Sequence, residues 1–185
     1  MTLAEHIQAV QARIAAAAEK AGRDPSEVTL VAATKVQTSE TIRAAIAAGI
    51  TVCGENRAQE FTQHWQDGAY KGAKVHFIGH LQKNKLKYLV GKVDMIESVD
   101  SEELIRLIDK RAQNLGIVQD ILIEVNIGGE ASKSGVKPEE AEALVALAAS
   151  LPGVEPRGLM AIPPVAREAG ANRGVLPQCI SFLLT

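Results

Sequence analysis

Charge of one sign is scarce in this chain: 20 basic and 22 acidic side chains leave a net charge of -2 over 185 residues. So small an excess provides no field for polyanions or anionic lipid, and neither nucleic acid nor membrane is an expected partner. Cysteine is scarcer still, with only Cys53 and Cys179, far apart. That spacing offers neither a disulfide framework nor the paired ligands of a zinc site, and it suits a reducing, cytoplasmic compartment. Long apolar runs are missing as well. No stretch approaches the roughly 20 residues that cross a bilayer, and Glu5, His6, Gln8, Gln11 and Arg13 interrupt the alanines of the N-terminus, excluding a signal core. There is no G-x-G-x-x-G after the first strand and no G-x-x-x-x-G-K-[ST], which removes most support for Rossmann and P-loop readings.

What is present is ordinary globular composition, 46% hydrophobic and 23% charged, in a length that suits one domain with a sizeable core. Leu3, Ile7, Val10 and Ile14 recur at three- and four-residue spacing and predict a one-faced helix over 3–21, ended by Gly22 and Pro25. Val28–Thr34 is short, apolar and β-branched, the pattern of a strand buried on both faces. Ser39 then reads as the cap of a helix closing at Gly49, before strand Ile50–Cys53. The alternation continues with helix 57–66, strand Val75–Ile78, helix 83–90, strand Val93–Ile96, helix 101–115, strand Ile121–Asn126, a helix from Pro138 to about 150, and strand Arg157–Ile162.

Six strands alternating with helices give an α/β chain with a parallel sheet, closed or open. Polar residues gather just after the strands: Lys35, Glu55 and Asn56, His80 with Gln82, Ser98 with Asp100, Asn126, and Pro163 with Pro164. A barrel collects ligand groups at every C-terminal strand end, whereas an open sheet collects them near one switch point, so this spread favours a barrel.

Lys35 is the sharpest chemical signal. A lysine after seven mostly apolar residues is expected to be partly desolvated, which lowers its pKa and frees the amine as a nucleophile suited to a Schiff base. The bland alternative is a lysine snorkelling to solvent. Gly54-Glu55-Asn56 offers a carboxylate and an amide able to orient a polar ring or to start a helix. His80 reads as a proton donor or a surface residue, and Lys83, Lys85 and Lys87 as an anion contact or a solvated face. Asn126–Gly135, with three glycines and two serines, is long for a strand-to-helix connection and suits a loop that covers a ligand or moves.

Together, Val31–Lys35, Gly54–Asn56, His76–Gln82 with Asn84 and Lys85, Ser98–Asp100, Val125-Asn126 with Ser132–Gly135, and Arg157–Pro163 run in order at successive strand ends. In these segments the chain resembles the pyridoxal-phosphate homeostasis family. The resemblance implies a barrel binding pyridoxal 5'-phosphate (PLP), similar to the N-terminal domain of alanine racemase without that enzyme's second domain. Lys35 matches the family's Schiff-base lysine, and Asn56, His80 and Met160 match positions around the cofactor. It further implies a cytoplasmic, monomeric carrier or regulator in vitamin B6 balance, with PLP-dependent apoenzymes as recipients, rather than a catalyst. PLP does the electronic work, but an enzyme must add an acid or base and a substrate pocket, and no second catalytic group declares itself. An amino-acid racemase and a cofactor-free interaction fragment are the competing readings.

The family pattern runs on through a Gly-Met-Ser and an Arg-x-Gly segment, neither of which occurs in this sequence. Residues 174–185 instead form an apolar tail without a helical stripe, expected from a frameshifted, prematurely ended gene. On this reading residues 1–173 make an incomplete TIM-type (β/α) barrel with about six of eight strands. Open edges then predict self-association, and missing late strands predict weaker hold on PLP.

Overall fold

The computed structural model describes residues 1–130, 133–165 and 168. The expected tail 174–185, with Cys179, and Ser132 of the long loop lie outside the described residues. The chain divides into two compact units, Met1–His76 and a second beginning at Phe77.

The first unit contains helix α1 (Leu3–Lys20), strand β1 (Val31–Ala33), helix α2 (Ser39–Ala47), strand β2 (Val52–Glu55), helix α3 (Ala58–Gln66) and all but the last residue of strand β3 (Lys74–Phe77). The strands add in chain order, and β1 pairs with β2 in parallel, Val31 opposite Val52 and Ala33 opposite Gly54. A capping box opens α1: the Glu5 N–H donates to Thr2 Oγ1, and the Thr2 N–H to Glu5 Oε2 at 2.7 Å. The expected apolar stripe of α1 is only partly used, since Leu3 and Val10 are exposed while Ile7 and Ala18 are buried. The core of this unit is Ile42, Ile50, Val52, Cys53, Phe61, Tyr70 and Val75. Within it the Phe61 and Tyr70 rings stack at 5.9 Å.

Two expectations for this unit are corrected. The first strand is three residues long rather than seven and is not buried on both faces: Val31 and Ala32 are half-buried and Ala33 exposed. Among the described residues it has a single hydrogen-bonded neighbour, and the Val28 N–H upstream is taken by the Pro25 carbonyl of a 3-10 turn, Pro25–Glu27. The cap of α2 is Thr38, whose Oγ1 accepts from the Thr41 N–H at 3.2 Å. Ser39 is instead the first helical residue, buried, and donates to Asp67 Oδ2 at 2.8 Å.

The second unit contains a 3-10 turn (Lys83–Lys85) running into the single-turn helix α4 (Leu86–Leu89), then β4 (Met95–Val99), α5 (Glu102–Leu115), β5 (Gln119–Glu124), α6 (Pro138–Ala149) and β6 (Val154–Met160). The strands again add in chain order and run parallel. Helix α5 is the clearest product of sequence pattern: Ser101 caps it, Gly116 ends it with φ 67°, and Leu104, Ile105, Ile108 and Ala112 form its buried face. Ile121 and Ile123 alternate with half-buried neighbours along β5 and are fully buried. Strand β4 starts two residues later than expected, because the Val93 N–H is taken by the Leu89 carbonyl at 3.1 Å. It also runs to Val99, so Ser98 lies inside the strand rather than after it. Among the described residues no helix is long and apolar enough to cross a membrane.

The centre of β5 is where the second unit is most sensitive to volume. Ile121→Ala removes a fully buried side chain and is expected to cost about 2–5 kcal/mol of unfolding free energy. Urea denaturation checks this, and a loss below about 0.5 kcal/mol, the range of surface changes, would show that Ile121 is not in a packed core.

Candidate functional site

In both units the strands deliver polar side chains at their C-terminal ends. In the first unit β1 ends at Ala33, and Thr34–Gln37 makes a turn closed by the Gln37 N–H on the Thr34 carbonyl at 3.1 Å. Lys35 occupies this turn and is exposed. The expected desolvation of Lys35 is therefore corrected: the turn lifts it off the strand and leaves its amine accessible to solvent.

Beside it stands a cluster that sequence reasoning did not assemble. Glu55, the last residue of β2, is fully buried, and its Oε1 accepts from Thr34 Oγ1 at 2.6 Å and from the Tyr70 hydroxyl at 2.7 Å. His64 Nδ1 lies 3.1 Å from the same oxygen. Glu55 thus does not cap α3, one of the two roles its motif offered, but is committed to this buried cluster. Burial, and then the hydrogen bond to Glu55, hold the Tyr70 phenol far above its usual range. Burial and the nearby Glu55 push the Cys53 thiol up to about 11, so it is a packing group rather than a nucleophile. Thr34 reports itself in sequence only as the residue before Lys35, and Tyr70 lies 15 positions from Glu55 in an irregular segment. Asn56 follows Glu55, is half-buried, and its Oδ1 is enclosed without a hydrogen-bond partner.

In the second unit His80 is exposed, with Nδ1 3.4 Å from Ser134 Oγ. Met160, the last residue of β6, is half-buried, and its carbonyl accepts the Val125 N–H at 2.8 Å. Ser98 Oγ is buried without a hydrogen-bond partner. Glu124 ends β5 and is 7% exposed. Burial, and then the charge of Asp100, raise its carboxyl above the usual range, with His80 opposing. The long loop folds back on its own start: Asn126 Nδ2 donates to the Glu130 carbonyl at 2.9 Å, and the Val136 N–H donates to the Glu124 carbonyl at 2.9 Å. Gly135 makes this possible. Its φ is 104°, and a Cβ there would sit 2.7 Å from the Asn126 nitrogen.

The basic run has local employment. Lys83 pairs with Glu103, and Lys87 lies over the Tyr88 ring at 5.0 Å. Lys35 and Asn56 therefore belong to the first unit, and His80 and Met160 to the second, each at or just beyond the C-terminal end of a strand. Among the described residues no group of three or more His, Cys, Asp or Glu side chains is placed to hold a metal ion.

Comparison with known proteins gives this arrangement its context. The family model of the alanine racemase N-terminal domain matches residues 6–182. A pyridoxal phosphate homeostasis protein of Aquifex aeolicus is 45% identical over 164 residues, covering 89% of this chain and 72% of that protein. Among solved structures, PipY of Synechococcus elongatus with PLP bound superposes with a TM-score of 0.81 at 28% identity, covering 98% of this chain and 80% of that one. An alanine racemase of Clostridium difficile superposes with a TM-score of 0.71 at 14% identity, covering 85% of this chain and 44% of that one, a likeness of fold alone. The fold class is accordingly the expected incomplete TIM-type (β/α) barrel, with six parallel strands among the described residues.

Glu124 provides a test of the second unit's electrostatics. Its carboxyl is raised in the fold, so as pH climbs from the ordinary value of 4.5 the unfolded chain releases its proton first and wild-type stability falls. Glu124→Gln lacks this loss. Its stability relative to wild type is expected to rise as pH climbs above the ordinary value of 4.5 in denaturant titrations; parallel curves for the two proteins would refute the shift.

Proposed function

Because this chain belongs to the pyridoxal phosphate homeostasis protein family, we propose that it binds PLP covalently through Lys35 and acts in intracellular PLP balance as a carrier rather than a catalyst. The observation that carries this reading is the presentation of Lys35. It is an exposed amine in a turn at the end of β1, the residue before it anchored to a fully buried carboxylate. An accessible amine on a rigid base suits capture of an aldehyde.

The residues present fit such a cofactor. Asn56 Oδ1 and Ser98 Oγ are buried polar atoms without partners, each at or near a strand end, and groups of this kind are normally satisfied by protein, water or ligand. In this reading Asn56 offers its carboxamide, His80 its imidazole and Met160 an apolar flank to the cofactor. PLP supplies an aldehyde, which the Lys35 amine holds as a Schiff base with loss of water. The relatives' role in pyridoxal phosphate homeostasis and the PLP bound in PipY support the assignment. The reading includes a cytoplasmic carrier that hands PLP to PLP-dependent apoenzymes; a monomer is the expectation for the full family fold, and self-association the expectation for this chain.

The test is chemical. Purified protein and Lys35→Ala are incubated with PLP, reduced with borohydride, and digested for mass spectrometry. The expected result is one cofactor mass on the peptide containing Lys35, absent from the variant. Equal labelling of the two proteins at other lysines would overturn the assignment.

A further inference from the structure

The residue after Lys35 is strained. Val36 has φ 56°, the only positive φ outside glycine among the described residues. It occupies the third position of the Thr34–Gln37 turn, where a positive φ normally calls for glycine or asparagine, and a β-branched side chain fits this region poorly. Packing does not offset the strain, because Val36 is 75% exposed. Besides the Gln37 N–H on the Thr34 carbonyl that closes the turn, a side chain holds the strained residue itself: the Val36 N–H donates to Glu60 Oε2 at 2.9 Å. Glu60 lies in the first turn of α3, and its other oxygen accepts from Arg57 Nη1 at 3.0 Å. On the other side of the lysine, Thr34 is fixed through its N–H to the Gly54 carbonyl at 2.9 Å and through its hydroxyl to Glu55.

Lys35 thus stands between two residues that are each gripped by a glutamate, one fully buried and one on the surface side. We propose that Glu60 is a positioning residue for Lys35, a latch whose hold on the Val36 N–H keeps the turn in its strained form and so sets the direction in which the lysine leaves the end of β1. Glycine at 36 would make the same turn without strain. Valine makes it conditional on Glu60, so that loss of the latch lets the turn relax and swings Lys35 away. The low-lying carboxyl of Glu60, lowered first by the Val36 hydrogen bond, keeps the latch charged at neutral pH. This inference rests on the reading of Lys35 as the PLP-bearing residue.

Four full-length proteins test it: wild type, Glu60→Ala, Val36→Gly and the double variant. Each is mixed with PLP and trapped with borohydride at timed intervals, and the adduct on the Lys35 peptide is quantified. Glu60→Ala is expected to form it roughly tenfold more slowly, the order expected from one strained residue. Val36→Gly should keep the wild-type rate, and the double variant should match Val36→Gly, because glycine holds the turn unaided. A general folding defect would not be rescued in this way. Wild-type kinetics in Glu60→Ala, or equal slowness in Glu60→Ala and the double variant, would overturn the latch. Hydrogen exchange at the Val36 amide reads the latch without PLP: protection in wild type and its loss in Glu60→Ala are expected, and equal exchange in both refutes it. Should wild type form no adduct at Lys35 while the amide is protected, the reading of Lys35 fails and the latch stands as a property of the turn alone.

Discussion

The first unit depends on a carboxylate buried where water cannot reach it. An unpaired ion in such a place would be very costly, and Glu55 is tolerated because donors converge on Oε1 from Thr34 and Tyr70, with His64 in contact. These partners come from the end of β1, from α3 and from the segment after it, so a single oxygen joins pieces of chain that no shared secondary structure connects. Its neighbours adapt to the charge rather than compete with it. Tyr70 stays a phenol and Cys53 a thiol, both because burial disfavours their ionised forms and because Glu55 adds its field.

The consequence falls on the residues to either side of the network. Thr34 precedes Lys35, and Asn56 follows Glu55, so fixing the Thr34–Glu55 pair fixes the roots of two candidate ligand groups at once. The second unit is built otherwise. Its strand ends carry an acid, Glu124, that burial and Asp100 bias toward the neutral form, and a loop that closes back through Asn126 and Gly135. Backbone economy there rests on glycine's freedom at position 135 rather than on a buried ion.

The alternation of strands and helices was legible because hydrophobic period and caps are local properties: α5 could be read from Ser101, its apolar face and Gly116 without knowledge of any other element. The strand ends were read less closely, one to three residues away from Ala33, Glu55, Phe77, Val99, Glu124 and Met160, but near enough that Lys35, Asn56, His80 and Met160 all stand at or just past them. What escaped the reading was set by distant partners. The first strand looked fully buried because its residues are apolar, yet among the described residues it is a sheet edge with one hydrogen-bonded neighbour, and Val31 and Ala32 are only half-buried and Ala33 exposed. Ser39 looked like a cap because its type is right, but Asp67, 28 residues on, claims its hydroxyl. The Glu55–Tyr70 contact had no signal at all, since neither residue type nor spacing predicts which tyrosine will meet a buried acid.

Among the described residues, four buried side-chain atoms lack a hydrogen-bond partner: Glu55 Oε2, Asn56 Oδ1, Ser98 Oγ and Arg111 Nε. Three of the four fall within or just after the last residues of β2 and β4. Proteins leave few such groups unsatisfied because each costs the free energy of its lost hydration, about 1–3 kcal/mol. Under the proposed function, Asn56 and Ser98, each at or near the end of a strand in its own unit, are groups that a bound cofactor can satisfy.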